Sequence, residues 1–195
     1  MTDKTITIRG CEIHYIERGA GDRDVAGERG ATGGAGTGAG VVVYVHGNLG
    51  SYRWYERVME VPGQKTLALD LPNFGRSGHI PTHDMFTYGE YLASFVDELV
   101  GGPVVLVGHS LGGAVAMSVA CSRPALVSRL MLVDPAPIEG LVTSPDRYPA
   151  IETWRKDEAQ LRTALKAMVP TLSDAAFFDE LVADARRMKG DAYIG

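Results

Sequence analysis

An α/β fold with a doubly wound, mostly parallel sheet is predicted by three apolar runs, at residues 41–45, 65–71 and 104–107, that each end in a glycine-bearing turn. The first and third are apolar at successive positions, as strands buried on both faces must be. A helical pattern follows each strand or the loop after it, and this alternation places any site at the carboxyl ends of the strands. With 195 residues, 45% of them hydrophobic, the chain can bury a substantial core. No apolar run approaches membrane-spanning length, so no membrane partner is expected. The opening MTDKTITIRG lacks the apolar stretch of a secretory signal, which makes the cytoplasm the expected location. A net charge of −5 without a basic cluster argues against nucleic acid. Cys11 and Cys121 lie far apart and without ligand spacing, so both are expected to be small buried apolar residues, and no metal or cofactor is expected.

In chain order, residues 5–9 and 12–17 alternate apolar and polar around Gly10, predicting a half-exposed antiparallel hairpin at one sheet edge. Residues 19–40, GAGDRDVAGERGATGGAGTGAG, have too little side chain to repay ordering and are expected to be a disordered surface loop. The strand at 41–45 runs into His46-Gly47-Asn48-Leu49-Gly50 and then an amphipathic helix around residues 52–59. His46 and Asp70 each end a strand, and both are read as loop anchors in preference to acid or base roles. Residues 88–100 have helical spacing, with Leu92, Phe95, Val96 and Leu99 on one face. A further strand spans 127–133 and closes at Asp134. From residue 138 the strands stop, and amphipathic helices at 151–169 and 173–188, joined at Pro170, are expected to form a lid. Met168, Phe177, Phe178 and Met188 are available there either for packing or for an apolar substrate pocket.

The chemistry concentrates in PVVLVGHSLGGAVAMSVA, residues 103–120. Gly108-His109-Ser110-Leu111-Gly112 is a G-x-S-x-G between a strand and a small-residue helix. Small residues on both sides let the chain turn sharply enough to hold Ser110 in a strained conformation, with its hydroxyl clear of the sheet. Ser110 is therefore the candidate nucleophile. The N–H of Leu111, at the start of the following helix, and the N–H of Asn48, in the loop after the first buried strand, are the candidate oxyanion donors.

With HGNLG, DLPNFGRSG and GHSLGG in that order, the chain resembles the α/β-hydrolase superfamily, in the branch of esterases, C–C bond hydrolases, cofactor-free haloperoxidases and haloalkane dehalogenases. The resemblance implies a hydrolase core over residues 1–137, carrying strands one to six of the family's eight, and part of a helical cap over 138–195. It implies Ser110 as nucleophile, Asn48 and Leu111 as oxyanion hole, Asp134 as a candidate acid, and a small-molecule substrate with an apolar part. HGNLGSYRW is also similar to the dehalogenase loop, but dehalogenases place an aspartate where Ser110 stands, which favours an ester, thioester, amide or C–C bond. The family histidine follows the eighth strand, whereas His14, His46, His79, His83 and His109 all precede Ser110. A weak esterase is therefore expected, with His79 or His83 as the unorthodox bases to consider. A piece of a longer hydrolase, a shortened gene product and a non-catalytic small-molecule binder all remain open. The strand at 127–133 should present an unpaired apolar edge capable of self-association.

Overall fold

A computed structural model describes residues 1–19, 40–139, 144, 146 and 148–193, so most of the glycine-rich segment lies outside the described residues. Six strands form one sheet: β1 (Thr2–Ile8), β2 (Cys11–Arg18), β3 (Val41–Val45), β4 (Lys65–Leu69), β5 (Val104–His109) and β6 (Val127–Val133). Their order is β1-β2-β4-β3-β5-β6. β1 and β2 are an antiparallel hairpin, β2 joins β4 antiparallel, and the remaining pairs are parallel. The hairpin is longer than the alternation suggested, and of its two strands β1 alone lies at an edge of the sheet. β2 is covered on both sides, by β1 and β4, and most of it is buried.

The register sorts the side chains into two layers. Tyr15, Val43, Val45, Leu67, Leu69 and Leu106 share one face and pack with α1 (Met85–Leu99) and α2 (Leu111–Ser122). Ile16, Tyr44, Ala68 and Val107 share the other, under Tyr52, Tyr55 and Met59. The amphipathic helix expected at 52–59 is instead a single 3-10 turn, Tyr52–Trp54, followed by irregular turns. Ser51 caps it, and the buried Asp70 carboxylate takes the Tyr52 N–H at 2.6 Å, which fixes where the turn begins. α1 begins at Met85, earlier than its apolar stripe, because the Asp84 side chain accepts from the N–H groups of Phe86 and Thr87. Cys11 is buried but Cys121 is exposed, since α2 covers the sheet with Val115, Ala116 and Val119 and its last turn extends past that contact.

Beyond the sheet lie α3 (Tyr148–Lys156), α4 (Glu158–Met168) and α5 (Ala175–Ala185). The single helix expected over 151–169 is broken at Asp157, whose carboxylate accepts from the N–H groups of Ala159 and Gln160 and starts α4. Among the described residues no helix is long and apolar enough to cross a membrane.

α5 is fastened to the segment after β3 by charge. Asp184 is buried and accepts from Ser51 Oγ and Arg53 Nε, both at 2.9 Å, while Arg53 also reaches Glu180 at 2.9 Å. Arg57 pairs with Asp174 at 2.6 Å and lies over the Phe177 ring. Removing the Asp184 carboxylate leaves Ser51 Oγ without its acceptor and Arg53 with only its outer partners Glu56 and Glu180, at a cost of about 3 kcal/mol. Asp184→Ala should therefore lower the thermal midpoint by roughly 6–12 °C for a chain of this size, as read by calorimetry, whereas Glu180→Ala, at the exposed end of the same network, should move it little.

Candidate active site

The elbow is present and fastened from three sides. Ser110 joins β5 to α2 with φ 50° and ψ −119°, a backbone conformation costing a non-glycine residue about 1–3 kcal/mol. Its N–H donates to the Val133 carbonyl at 3.2 Å, and its carbonyl accepts from Gly113 and Ala136 N–H at 2.9 Å. β6 and the chain just after it therefore hold the strained turn. The serine side chain makes no capping hydrogen bond and is half-buried, so the hydroxyl is left for other chemistry.

Two glycines bring the loop after β3 against this turn. A Cβ on Gly112 would collide with the carbonyl oxygens of Val45 and His46, so only glycine lets the first turn of α2 seat on the end of β3. A Cβ on Gly47 would stand 2.9 Å from Ser110 Cβ and 2.9 Å from His109 Nδ1. Asn48 follows immediately. Its side chain turns back to accept the Leu49 N–H at 3.0 Å, fixing the loop. Leu111 opens α2, where the first N–H groups have no carbonyl within the helix to meet and the helix dipole favours negative charge. Ser110, Leu111 and the Asn48 loop are thus gathered at one place.

Asp134 lies at the end of β6, exposed and with φ 43°. Of the five histidines, His109 is the one beside Ser110. Its ring stacks on Trp54 with centroids 5.7 Å apart and planes inclined 21°. Burial lowers its pKa, and the charge of Asp134 works in the opposite direction. Sequence alternation had suggested nothing of this, because residues 109 and 110 of a continuing strand point to opposite faces. The positive φ at Ser110 ends that alternation and lets both side chains reach Gly47.

Two of the other histidines, His46 and His14, are engaged in hydrogen bonds of their own. His46 is fully buried, with Nδ1 2.8 Å from the Gly47 carbonyl and Nε2 accepting the Leu71 N–H at 3.0 Å, so it ties two loops together as a neutral ring. Burial lowers its pKa. His79 is exposed, and His83 is half-buried on the loop before α1. His14 lies between carboxylates, Nδ1 2.9 Å from Asp70 and Nε2 2.9 Å from Asp3. Asp70 also accepts from Tyr52 and Arg76 N–H, which is the anchoring role expected of it. Burial pulls the His14 pKa down, but the hydrogen bonds and charges of Asp70 and Asp3 outweigh it and the pKa rises. A histidine raised on folding contributes stability that is complete below its unfolded pKa and is lost as pH rises through the folded value. The difference in melting temperature between the parent and His14→Asn should therefore be wider near about pH 6 than near about pH 9.

The four residues suggested as pocket lining divide. Met188 is buried in the main core and Phe178 packs against it, whereas Met168 is exposed on α4 and Phe177 is half-buried under Arg57. Phe178 also lines a shallow depression with Arg162, Lys166 and Pro170, apart from the elbow residues. Among the described residues no group of three or more His, Cys, Asp or Glu is placed to hold a metal.

A family model described as "Alpha/beta hydrolase family" matches residues 42–193. The chain is 38% identical over 143 residues to the sn-1-specific diacylglycerol lipase ABHD11 of Danio rerio, covering 64% of this chain and 45% of that one. It is 34% identical over 154 residues to Lipase LipV of Mycobacterium tuberculosis (strain ATCC 25618 / H37Rv), covering 73% and 58%. It therefore spans about half the length of these curated relatives. Among solved structures, epoxide hydrolase VrEH1 from Vigna radiata superposes with a TM-score of 0.70 at 16% identity, over 98% of this chain and 70% of that one, a likeness of fold.

Proposed function

The chain belongs to the alpha/beta hydrolase family, and from that membership we propose that it is a serine hydrolase acting through Ser110 on a small ester, thioester, amide or C–C bond substrate. The observation that carries the reading is the strained Ser110 turn, φ 50°, packed against the Gly47-Asn48 loop. Strain of this kind is kept where it presents a side chain for chemistry, and in this reading the Leu111 and Asn48 N–H groups are the oxyanion donors. In the proposed reaction Ser110 Oγ attacks the carbonyl carbon, and those two N–H groups stabilise the negative oxygen that results. Relatives named as lipases support an acyl ester with an apolar part as the first substrate to try.

The rate is expected to be low, because the family histidine has no counterpart after Ser110 in these 195 residues. Turnover of p-nitrophenyl esters from acetate to octanoate tests the proposal. Slow release of nitrophenol, together with covalent capture of Ser110 by a fluorophosphonate, is the expected result. Tight binding of such an ester with neither release nor capture would instead identify a small-molecule binding module on a hydrolase fold. Halide release from a haloalkane without ester turnover would identify a dehalogenase-like relative.

A further inference from the structure

We propose that Asp184, on helix α5, is a positioning residue for the Asn48 N–H and acts on it through Ser51. The inference rests on the reading of Asn48 as an oxyanion donor to Ser110 and adds what holds that donor in its direction. A peptide bond is planar, and in its trans form the C=O and N–H point opposite ways. No described peptide bond is cis, so whatever grips the Gly47 carbonyl sets where the Asn48 N–H of the same peptide points. Two donors grip it, His46 Nδ1 at 2.8 Å and the Gly50 N–H at 3.1 Å. His46 is fixed from the core side, since its Nε2 accepts the Leu71 N–H. Gly50 is placed by the residue that follows it, Ser51.

Ser51 and Asp184 are both buried. Ser51 Oγ accepts the Arg53 N–H at 3.2 Å and donates to Asp184 at 2.9 Å, and the same carboxylate oxygen takes Arg53 Nε at 2.9 Å. A hydroxyl has one proton, and with it directed at Asp184 a lone pair is left to face the Arg53 N–H. The next amide is held from the other side, where Asp70 takes the Tyr52 N–H at 2.6 Å. The chain just after the donor is therefore clamped between a carboxylate that ends β4 and one on α5, 133 residues beyond Ser51.

The clamp matters because the turn it holds is not relaxed. Leu49, between donor and clamp, has φ 60°, in the left-handed region that a leucine rarely adopts. Released at Ser51, the turn can return to negative φ at Leu49. That change breaks the bond from the Gly50 N–H to the Gly47 carbonyl and frees the Gly47-Asn48 peptide to rotate. α5 is tied to the same stretch a second time, by Arg57 with Asp174 at 2.6 Å, at the exposed surface and without Ser51. The two ties separate the direction of the donor from the attachment of the helix.

The test reads two events at Ser110, the second-order rate of fluorophosphonate capture and the dissociation constant of phenylboronic acid. In the boronate adduct Ser110 Oγ bonds to boron, the hydroxyl proton passes to solvent, and a boron-bound oxygen of the anion stands where the oxyanion would. Asp184→Ala and Ser51→Ala should each slow capture by about 100-fold, the effect of displacing an aligned group by about 1 Å, and should weaken the boronate as well. The double variant should be no slower than either single one, because both act through one link. Asp184→Asn keeps an oxygen that accepts from Ser51 and should restore most of the rate, although losing the charge toward Arg53 still lowers the melting temperature. Arg57→Ala should leave both readouts at the parent value. All variants are compared below their melting transitions, followed by calorimetry. Capture in Asp184→Ala and Ser51→Ala equal to the parent overturns the inference. So does a loss in Arg57→Ala as large as in Asp184→Ala, or an Asp184→Asn variant as slow as Asp184→Ala. A parent that takes neither probe at Ser110 overturns instead the reading of Ser110 and its donors on which the inference rests.

Discussion

Replacing Ser110 with alanine is expected to abolish covalent capture by a fluorophosphonate completely and to remove the part of the slow ester turnover that passes through an acyl-enzyme. The two readouts separate what the elbow does from what the surrounding site does. Capture requires an oxygen at that position, so its loss assigns the nucleophile. Turnover is more informative, because members of a nucleophile and base pair act as a unit, and a serine without any base contributes almost nothing beyond oxyanion stabilisation. If Ser110→Ala leaves the slow turnover untouched, the Asn48 and Leu111 N–H groups alone polarise the ester and water is the attacking group. If turnover falls as expected, Ser110 is activated in this chain. The variant should fold, since the hydroxyl makes no capping hydrogen bond and alanine retains the Cβ.

The second large effect is expected at β6. Its Leu130, Met131, Leu132 and Val133 are 37%, 57%, 38% and 46% exposed, and among the described residues it pairs on one side only, with β5. Four consecutive apolar residues beside unpaired backbone N–H and C=O groups form the kind of edge that soluble proteins otherwise cover or charge. Two copies related by a two-fold axis can pair β6 with β6 antiparallel and make one sheet continuous through both, a symmetric and self-limiting contact. The 195-residue chain should therefore sediment as a dimer or larger species. Met131→Lys with Val133→Lys, both on the face that also holds Val107, should shift it to monomer by charging the edge. A parent chain that is monomeric at about 100 μM, well above a micromolar dissociation constant, would show that this edge has no affinity for itself.

β6 also connects the two predictions, because the Val133 carbonyl that ends it holds the Ser110 N–H. Disturbing the edge disturbs the elbow, so Lys substitutions should be read for capture rate as well as for mass. Extending the chain with strands that pair β6 would be expected to raise both stability and rate.

Much of this molecule is written locally. The strands at 41–45 and 127–133 appear within the limits their apolar runs mark, and the alternation of strand and helix already implies a parallel sheet with its site at the strand ends. The elbow is legible for the same reason: G-x-S-x-G between a buried strand and a small-residue helix has few other physical uses, and Ser110 takes up the left-handed φ this predicts. His46 and Asp70 anchor loops, as strand-ending polar residues in turn-rich sequence commonly do.

The tertiary structure decided the rest, wherever the outcome depended on a partner remote in sequence. Residues 52–59 have helical periodicity, yet only one 3-10 turn forms, its first amide anchored on the distant Asp70 carboxylate and its Tyr52 and Tyr55 packed on the sheet. The helices after β6 show their own stripes, but nothing in them announces that Asp184 meets Ser51 and Arg53 more than 120 residues away. His109 is the plainest case. Read along the strand it faces away from Ser110, and only the strained turn, seated against Gly47 in the loop after β3, brings the two side chains to one place. Periodicity and turn chemistry are properties of neighbours along the chain and can be read from it. Which carboxylate binds which amide, and which imidazole stands beside which hydroxyl, is fixed only when distant segments pack and their polar groups must find partners away from water.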